Sequence, residues 1–283
     1  MTATFWRLVT SNRQITNKKR KKMKTRQYLI MSGLLLMVAV GMTSCVMTCN
    51  RPIAGDEIVE WRKHRGFESI EISGSPNVVY TQTDTFGVRL EGPEKMVENM
   101  MTEVKDRTLF VYNKGRVDLK VGFINLNWGD RDDVTIYVSS PDLIGVRLNG
   151  SGDFVSKNQL DTDEMNIVLR GSGDVSFEDI ICDACTTELV GSGDVRIDHL
   201  DAKKSAAVLV GSGDINITEA NVIETDLSVR GSGDIVVNFL EGCQSAVAKV
   251  NGSGDITLEG TLHHYDAHKS GSGDINTGNL TVR

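Results

Sequence analysis

From residue 146 onward, apolar side chains fall at every second position, stop at a glycine pair, and resume. The tetrapeptide Gly-Ser-Gly-Asp begins at Gly150, Gly171, Gly191, Gly211, Gly231, Gly252 and Gly271, at intervals of 21, 20, 20, 20, 21 and 19 residues. Four positions before it stand Val146, Ile167, Thr187, Ala207, Leu227, Ala248 and Ala267; two before it stand Leu148, Leu169, Leu189, Leu209, Val229, Val250 and Lys269. Four positions after the first glycine come Phe154, Val175, Val195, Ile215, Ile235, Ile256 and Ile275, and six after it Ser156, Phe177, Ile197, Ile217, Val237, Leu258 and Thr277. A further Leu or Ile closes most repeats at Leu160, Ile180, Leu200, Leu240, Leu262 and Leu280. A period of two is that of a strand and not of a helix. Each repeat therefore predicts a strand, a glycine corner, a second strand and a short polar return.

Repeats this regular bury a continuous column only by stacking like on like. The fold class expected is all-β: a right-handed parallel β-helix, or β-solenoid, of about 20-residue coils, each advancing by the strand spacing of ~4.8 Å. Leucine-rich repeats need an Asn ladder and a helical turn, and calcium-binding RTX rolls have a nine-residue period, so neither template fits.

The same parity puts both glycines on the inward set and Ser and Asp outside. Glycine there permits a tight bend with φ > 0. Asp153, Asp174, Asp194, Asp214, Asp234, Asp255 and Asp274 then form a ladder. Neighbouring carboxylates ~4.8 Å apart repel by roughly 0.9 kcal/mol in water and by nearer 3.5 kcal/mol at an effective dielectric of 20. They must be solvated, hydrogen-bonded or neutralised. Capping of corner amides is the structural use. A Ca²⁺-binding edge, or a strip that touches a glycan or protein directly, are the functional ones. No other cofactor and no metal centre is expected.

Residues 56–145 are less regular. Phe67–Tyr80 reads as strand, glycine turn, strand and echoes the later repeats; Phe86–Leu90, Thr108–Tyr112 and Val134–Val138 read as further strands, and Pro93–Met101 as one short helix with Pro in its first turn. This stretch is expected to be an irregular β region covering one open end of the solenoid, since a bare end exposes pairing-competent edges. Polar residues of the last coil, Asn276, Thr277, Asn279 and Thr281, blunt the other end.

Repeated Gly-Ser-Gly-Asp with flanking Val-x-Leu and Val/Ile-x-Ile, preceded by Phe67-x-x-Ile70-x-Ile72-x-Gly74 and a Leu-x-Val strand, resembles the GIN-domain adhesin family, a head domain of auto-transporter adhesins. The resemblance covers roughly residues 67–283. It implies a β-helix, an exported or lipoprotein setting of the Bacteroides type, and adhesion; it implies no catalytic residues.

The chain has 283 residues with 40% apolar content, enough for a packed core, and 28 glycines, most of them in the repeats. Its net charge of −7 conceals an asymmetry: residues 1–44 carry nine Lys/Arg and no acid, leaving −16 for the rest. So acidic a body repels nucleic acid. The basic run Lys18–Arg26 precedes an apolar stretch, Leu29–Met42, of signal-peptide length, and Thr43-Ser44-Cys45 follows at once. Met42-Thr43-Ser44-Cys45 resembles a bacterial lipobox, which implies cleavage before Cys45 and its acylation. An ordinary secretory signal with a chance cysteine is the alternative. More than one acyl chain anchors firmly. The expected organisation is thus a leader and lipoprotein signal peptide over 1–44, a lipidated tether over 45–55, the β capping region over 56–145 and the repeat β-helix over 146–283. Residues before Met23 read as a long leader or as sequence upstream of the true start. The expected address is the cell envelope, as an outer-membrane lipoprotein bound to the membrane through lipid, with its exposed face and its oligomeric state left open.

Cys182-x-x-Cys185 has redox or half-zinc spacing but no second pair, and with Cys243 it reads as buried packing. His264 and His268 share a strand face as a conceivable metal pair, with a solvated return loop the blander reading; Trp128 stacks on a sugar if exposed and is core if not. No phosphate loop, dinucleotide fingerprint, nucleophile elbow or zincin motif is present. The first reading is a non-enzymatic, membrane-anchored adhesin or scaffold for a surface polymer or protein. The alternative is a polysaccharide lyase or hydrolase acting on acidic glycans, which would need loops long enough to build a groove.

Overall fold

The computed structural model describes residues 56–114 and 134–283, together with the backbone of two short strands between them, Lys120–Val121 and Ile124–Asn125. The leader, Cys45, the tether and Trp128 lie outside the described residues. What is described is a β-solenoid of about seven turns with coils of about 20 residues.

The repeats stack in register. Gly150 pairs with Gly171, Gly171 with Gly191, and so on through Gly211, Gly231 and Gly252 to Gly271, every pairing parallel. One long strand enters each corner, as in Glu164–Gly171, and the chain leaves it in a second, as in Ile215–Ala220. The alternating positions point inward as expected: Leu148, Leu169, Leu189, Leu209, Val229 and Val250 are buried, as are Phe154, Val175, Val195, Ile215, Ile235 and Ile256. Burying one such side chain contributes about 1.5–3 kcal/mol. Tyr80, Phe154 and Phe177 add an internal ring stack, with centroids 6.3 and 5.3 Å apart.

The regular ladder begins earlier than the motif does. Ser69–Gly74 pairs with Gly145–Gly150, and Asn77–Gln82 lies beside Phe154–Asp161, so Gly74-Ser75-Pro76-Asn77 is a variant corner in full register with the rest. The chain path around it is out of order. After this coil the chain runs through Gly87–Pro93, the helix Glu94–Asn99 and Met100–Lys105, then lays Thr108–Asn113 and Thr135–Ser140 against the far side of residues 69–82. Pro141–Ile144 then crosses back to the near side, pinned by Ile144 N–H donating to Glu68 O at 2.7 Å. Antiparallel strands take up the edges beyond these coils: Gly87–Pro93 pairs with Thr135–Ser140, Glu57–Arg62 with Gly87–Pro93, and Met100–Lys105 with Thr108–Asn113. The helix is shorter than expected because Met100 and Met101 belong to the strand that follows.

Three positions depart from the repeat pattern. Phe239 fills the core slot expected of Leu240, which is exposed. Ala267 and Lys269 are exposed on a strand that, among the described residues, pairs on one side only, with Ser245–Gly252. His264–Gly271 is a strand, so the histidine cluster is not a return loop.

Candidate functional site

The corner is where chemistry-bearing residues converge. At each one, Ser N–H and the following Gly N–H both reach the first glycine's carbonyl one coil back, as in Ser172 to Gly150 at 2.9 Å and Gly173 to Gly150 at 3.3 Å. The aspartate amide that comes next has no carbonyl within reach. It donates instead to the previous aspartate's Oδ1: Asp174 to Asp153 at 3.2 Å, Asp194 to Asp174 at 3.1 Å, Asp214 to Asp194 at 3.0 Å, Asp234 to Asp214 at 3.1 Å, Asp255 to Asp234 and Asp274 to Asp255 at 2.7 Å. The first rung is Asn77, whose Oδ1 accepts from the Asp153 amide at 3.1 Å. Asp supplies an acceptor at the right reach for an otherwise orphaned donor. The carboxylate of the last described rung, Asp274, takes Lys269 Nζ at 2.5 Å.

The glycines are required by the close approach of successive coils. Gly171 has φ +150°, and a Cβ there would stand 1.9 Å from Gly150 O; at Gly193 a Cβ would stand 1.9 Å from Gly173 O. The second glycine of each motif is buried and the first half-buried, except that Gly271 of the last coil is exposed. The aspartates lie outside, with Asp255 the least exposed of the seven.

A second polar group sits inside the stack. Glu219 occupies the column of Leu200 and Phe239 and is fully buried. Thr225 Oγ1 donates to its Oε2 at 2.5 Å, whereas Oε1 and the Ser205 hydroxyl have no well-formed partner. Burial pushes this carboxyl up to about 6, against the pull of the Ser205 and Thr225 hydroxyls. Nothing in the repeat pattern marks Glu219, because an acid in an apolar column reads as an outward residue. Cys182 and Cys185 flank an inner bend of their coil at places held by Ala202 and Ser205 in the next. A hydrogen bond from Cys185 lowers the Cys182 thiol; the same contact and burial raise Cys185, and burial raises Cys243. All three are buried free thiols. His264 lies beside Asp266 at 3.5 Å, and no group of three or more metal-ligating side chains occurs among the described residues.

Sequence reasoning also passed over Glu57–Arg62, where Val59 and Trp61 are 56% and 69% exposed. The signal was Val-x-Trp alternation in a strand that belongs to no repeat. A shallow depression of about 220 Å³ lies on another outer face, by Ser69, Glu71, Gly145 and Arg147. It falls short of the ~300–1,000 Å³ usual for small-molecule sites.

A family model described as "Putative auto-transporter adhesin, head GIN domain" matches residues 66–247. No functionally curated protein is significantly similar to the chain. Among solved structures, a protein of Bacteroides fragilis described as a putative adhesin is 28% identical, with a TM-score of 0.65 over 78% of this chain and 96% of that one. One of Parabacteroides distasonis described as a putative lipid binding protein is 24% identical, with a TM-score of 0.65 over 79% and 97%. A putative adhesin of Parabacteroides merdae is 17% identical, with a TM-score of 0.56 over 78% and 96%. The last two bear on the fold alone. The family model covers well over half of the chain, including the variant corner at Gly74 and the motifs that begin at Gly150, Gly171, Gly191, Gly211 and Gly231, and the chain belongs to the family of auto-transporter adhesin head GIN domains.

Proposed function

We propose that the chain is a non-enzymatic adhesion module of the bacterial cell envelope, anchored through lipid on Cys45 and holding a surface polymer or protein without turning it over. The observation that carries this reading is the use made of the carboxylates. Of the seven ladder aspartates, six hold the amide of the next coil and the seventh holds Lys269. Paired catalytic carboxylates need a substrate groove between them, and the coils return too tightly to build one. Family membership and the Bacteroides fragilis relative favour adhesion over turnover. Among the described residues no helix is long and apolar enough to cross a membrane.

The test is an array of glycans and extracellular-matrix proteins probed with the purified protein, with and without Ca²⁺, beside a turnover screen on the same glycans. Saturable binding with intact polymer is the expected result. Cleavage abolished by a single carboxylate substitution would overturn the reading. For the anchor, Cys45→Ala should lose metabolic labelling by a fatty-acid analogue and leave the membrane fraction; unchanged labelling would remove the lipid from the proposal.

A further inference from the structure

Among the described residues the largest exposed apolar side chain, Trp61, lies on the capped end, beside the first rung of the aspartate ladder. Trp61 stands opposite Arg89, Arg89 opposite Tyr137, Tyr137 opposite Val79 and Val79 opposite Val155, on five adjacent strands. All five face outward. They form a row across the strands with one side chain every ~4.8 Å. The Arg89 guanidinium lies 4.1 Å from the Tyr137 ring centroid and 5.8 Å from that of Trp61, and is ion-paired to Glu91. Both rings are thereby held in place on a sheet, and the one cation of the row is already neutralised. Two residues along the strands runs a second, parallel row: Val59, Glu91, Thr135 and Asn77 in register, with Asp153 joined to Asn77 by its amide. This row is rich in hydrogen-bond acceptors.

A sugar ring has the complementary chemistry. Its C–H faces are apolar and pack on aromatic and aliphatic side chains, while its hydroxyls donate to carboxylates and amide oxygens. A polyanion meets repulsion from Glu91, Asp153 and the ladder beyond them. We infer that this double row is the binding face, and that its ligand is an uncharged hexopyranose polymer lying across the strands. The inference rests on the adhesion reading and sharpens it to a ligand class. Rigid, preordered aromatics lower the entropy lost on binding, and a repeating surface gains from a repeating ligand.

The experiment is depletion of the purified full-length protein onto insoluble neutral polysaccharides (cellulose, mannan, β-1,3-glucan). Polygalacturonate, heparin and matrix proteins are run in parallel, for wild type, Trp61→Ala, Trp61→Phe and the remote control Asp274→Asn. Expected are retention on at least one neutral polymer, a tenfold or greater loss in Trp61→Ala, most of the binding kept in Trp61→Phe and in Asp274→Asn, and equal melting temperatures throughout. Wild-type retention by Trp61→Ala overturns the face while leaving adhesion standing. Binding confined to polyanions or to proteins overturns the ligand class. Binding to none of the polysaccharides and none of the matrix proteins overturns both this inference and the adhesion reading.

Discussion

The two ends of the stack close by different means. At the cap, the outermost coil, Thr108–Asn113 with Thr135–Ser140, has its free edges taken up by antiparallel strands, Met100–Lys105 on one side and Gly87–Pro93 on the other. Arg62 ties this arrangement together, donating to Met100 O at 2.6 Å, to Thr102 Oγ1 at 3.1 Å and to Val97 O at 3.1 Å. At the far end, His264–Gly271, Ile275–Asn276 and Leu280–Val282 pair on one side only, and where earlier coils place Leu or Val inward this one places Lys269. Covering an edge satisfies its backbone groups outright; leaving it open requires that its side chains tolerate water. The contrast separates positions whose neighbours lie on both sides from those with a neighbour on one.

The sharpest way to break that contrast is a methyl group. Gly213→Ala would place a Cβ 1.9 Å from Gly193 O, whereas Gly278 has nothing within 4 Å. Chemical denaturation should show the first losing about 3 kcal/mol or more and the second under about 0.5 kcal/mol. Equal losses would mean that coils separate freely at the corner.

Glu219 tests the interior of the stack through pH. Its carboxyl rises from 4.5 unfolded to about 6 folded, so its contribution to stability is complete below 4.5 and is lost as pH climbs through about 6. Glu219→Gln keeps a partner for Thr225 without the charge. It should exceed wild type by about 2 kcal/mol more at pH 7 than at pH 4, and parallel urea curves at the two pH values would sink the assignment.

The ladder comes next in size. Asp214→Ala strands the Asp234 amide and should cost about 1 kcal/mol, while Asp214→Asn keeps the acceptor, relieves two like-charge contacts and should fall within about 0.5 kcal/mol of wild type. A melting temperature raised by Ca²⁺ in wild type and not in Asp214→Asn would turn the ladder from a structural into a cation-binding one. The smallest effect belongs to the open end. Lys269→Ala removes an exposed ion pair with Asp274, for a loss of about 0.5 kcal/mol or less that disappears in 1 M salt.

How much of this was legible depended on whether a constraint repeats. The corner imposes the same close contact on every coil, so it writes Gly-Ser-Gly-Asp seven times and the stacking can be read directly. At Gly74-Ser75-Pro76-Asn77 a different neighbour relaxes it, and only an echo survives. The displaced order of the first coils leaves no local mark, since it arises from pairing between strands far apart in sequence. Phe239 in place of Leu240 is a one-residue slip that strand periodicity alone does not fix. Trp61 was missed because a single outward aromatic belongs to no pattern.

The carboxylate ladder has an arrow. Every acceptor belongs to an earlier segment of the polypeptide than the amide it receives, from Asn77 through Asp255. A chain made amino-terminus first therefore meets each docking point already waiting, and from Gly145 onward winding can proceed turn after turn without a search for register.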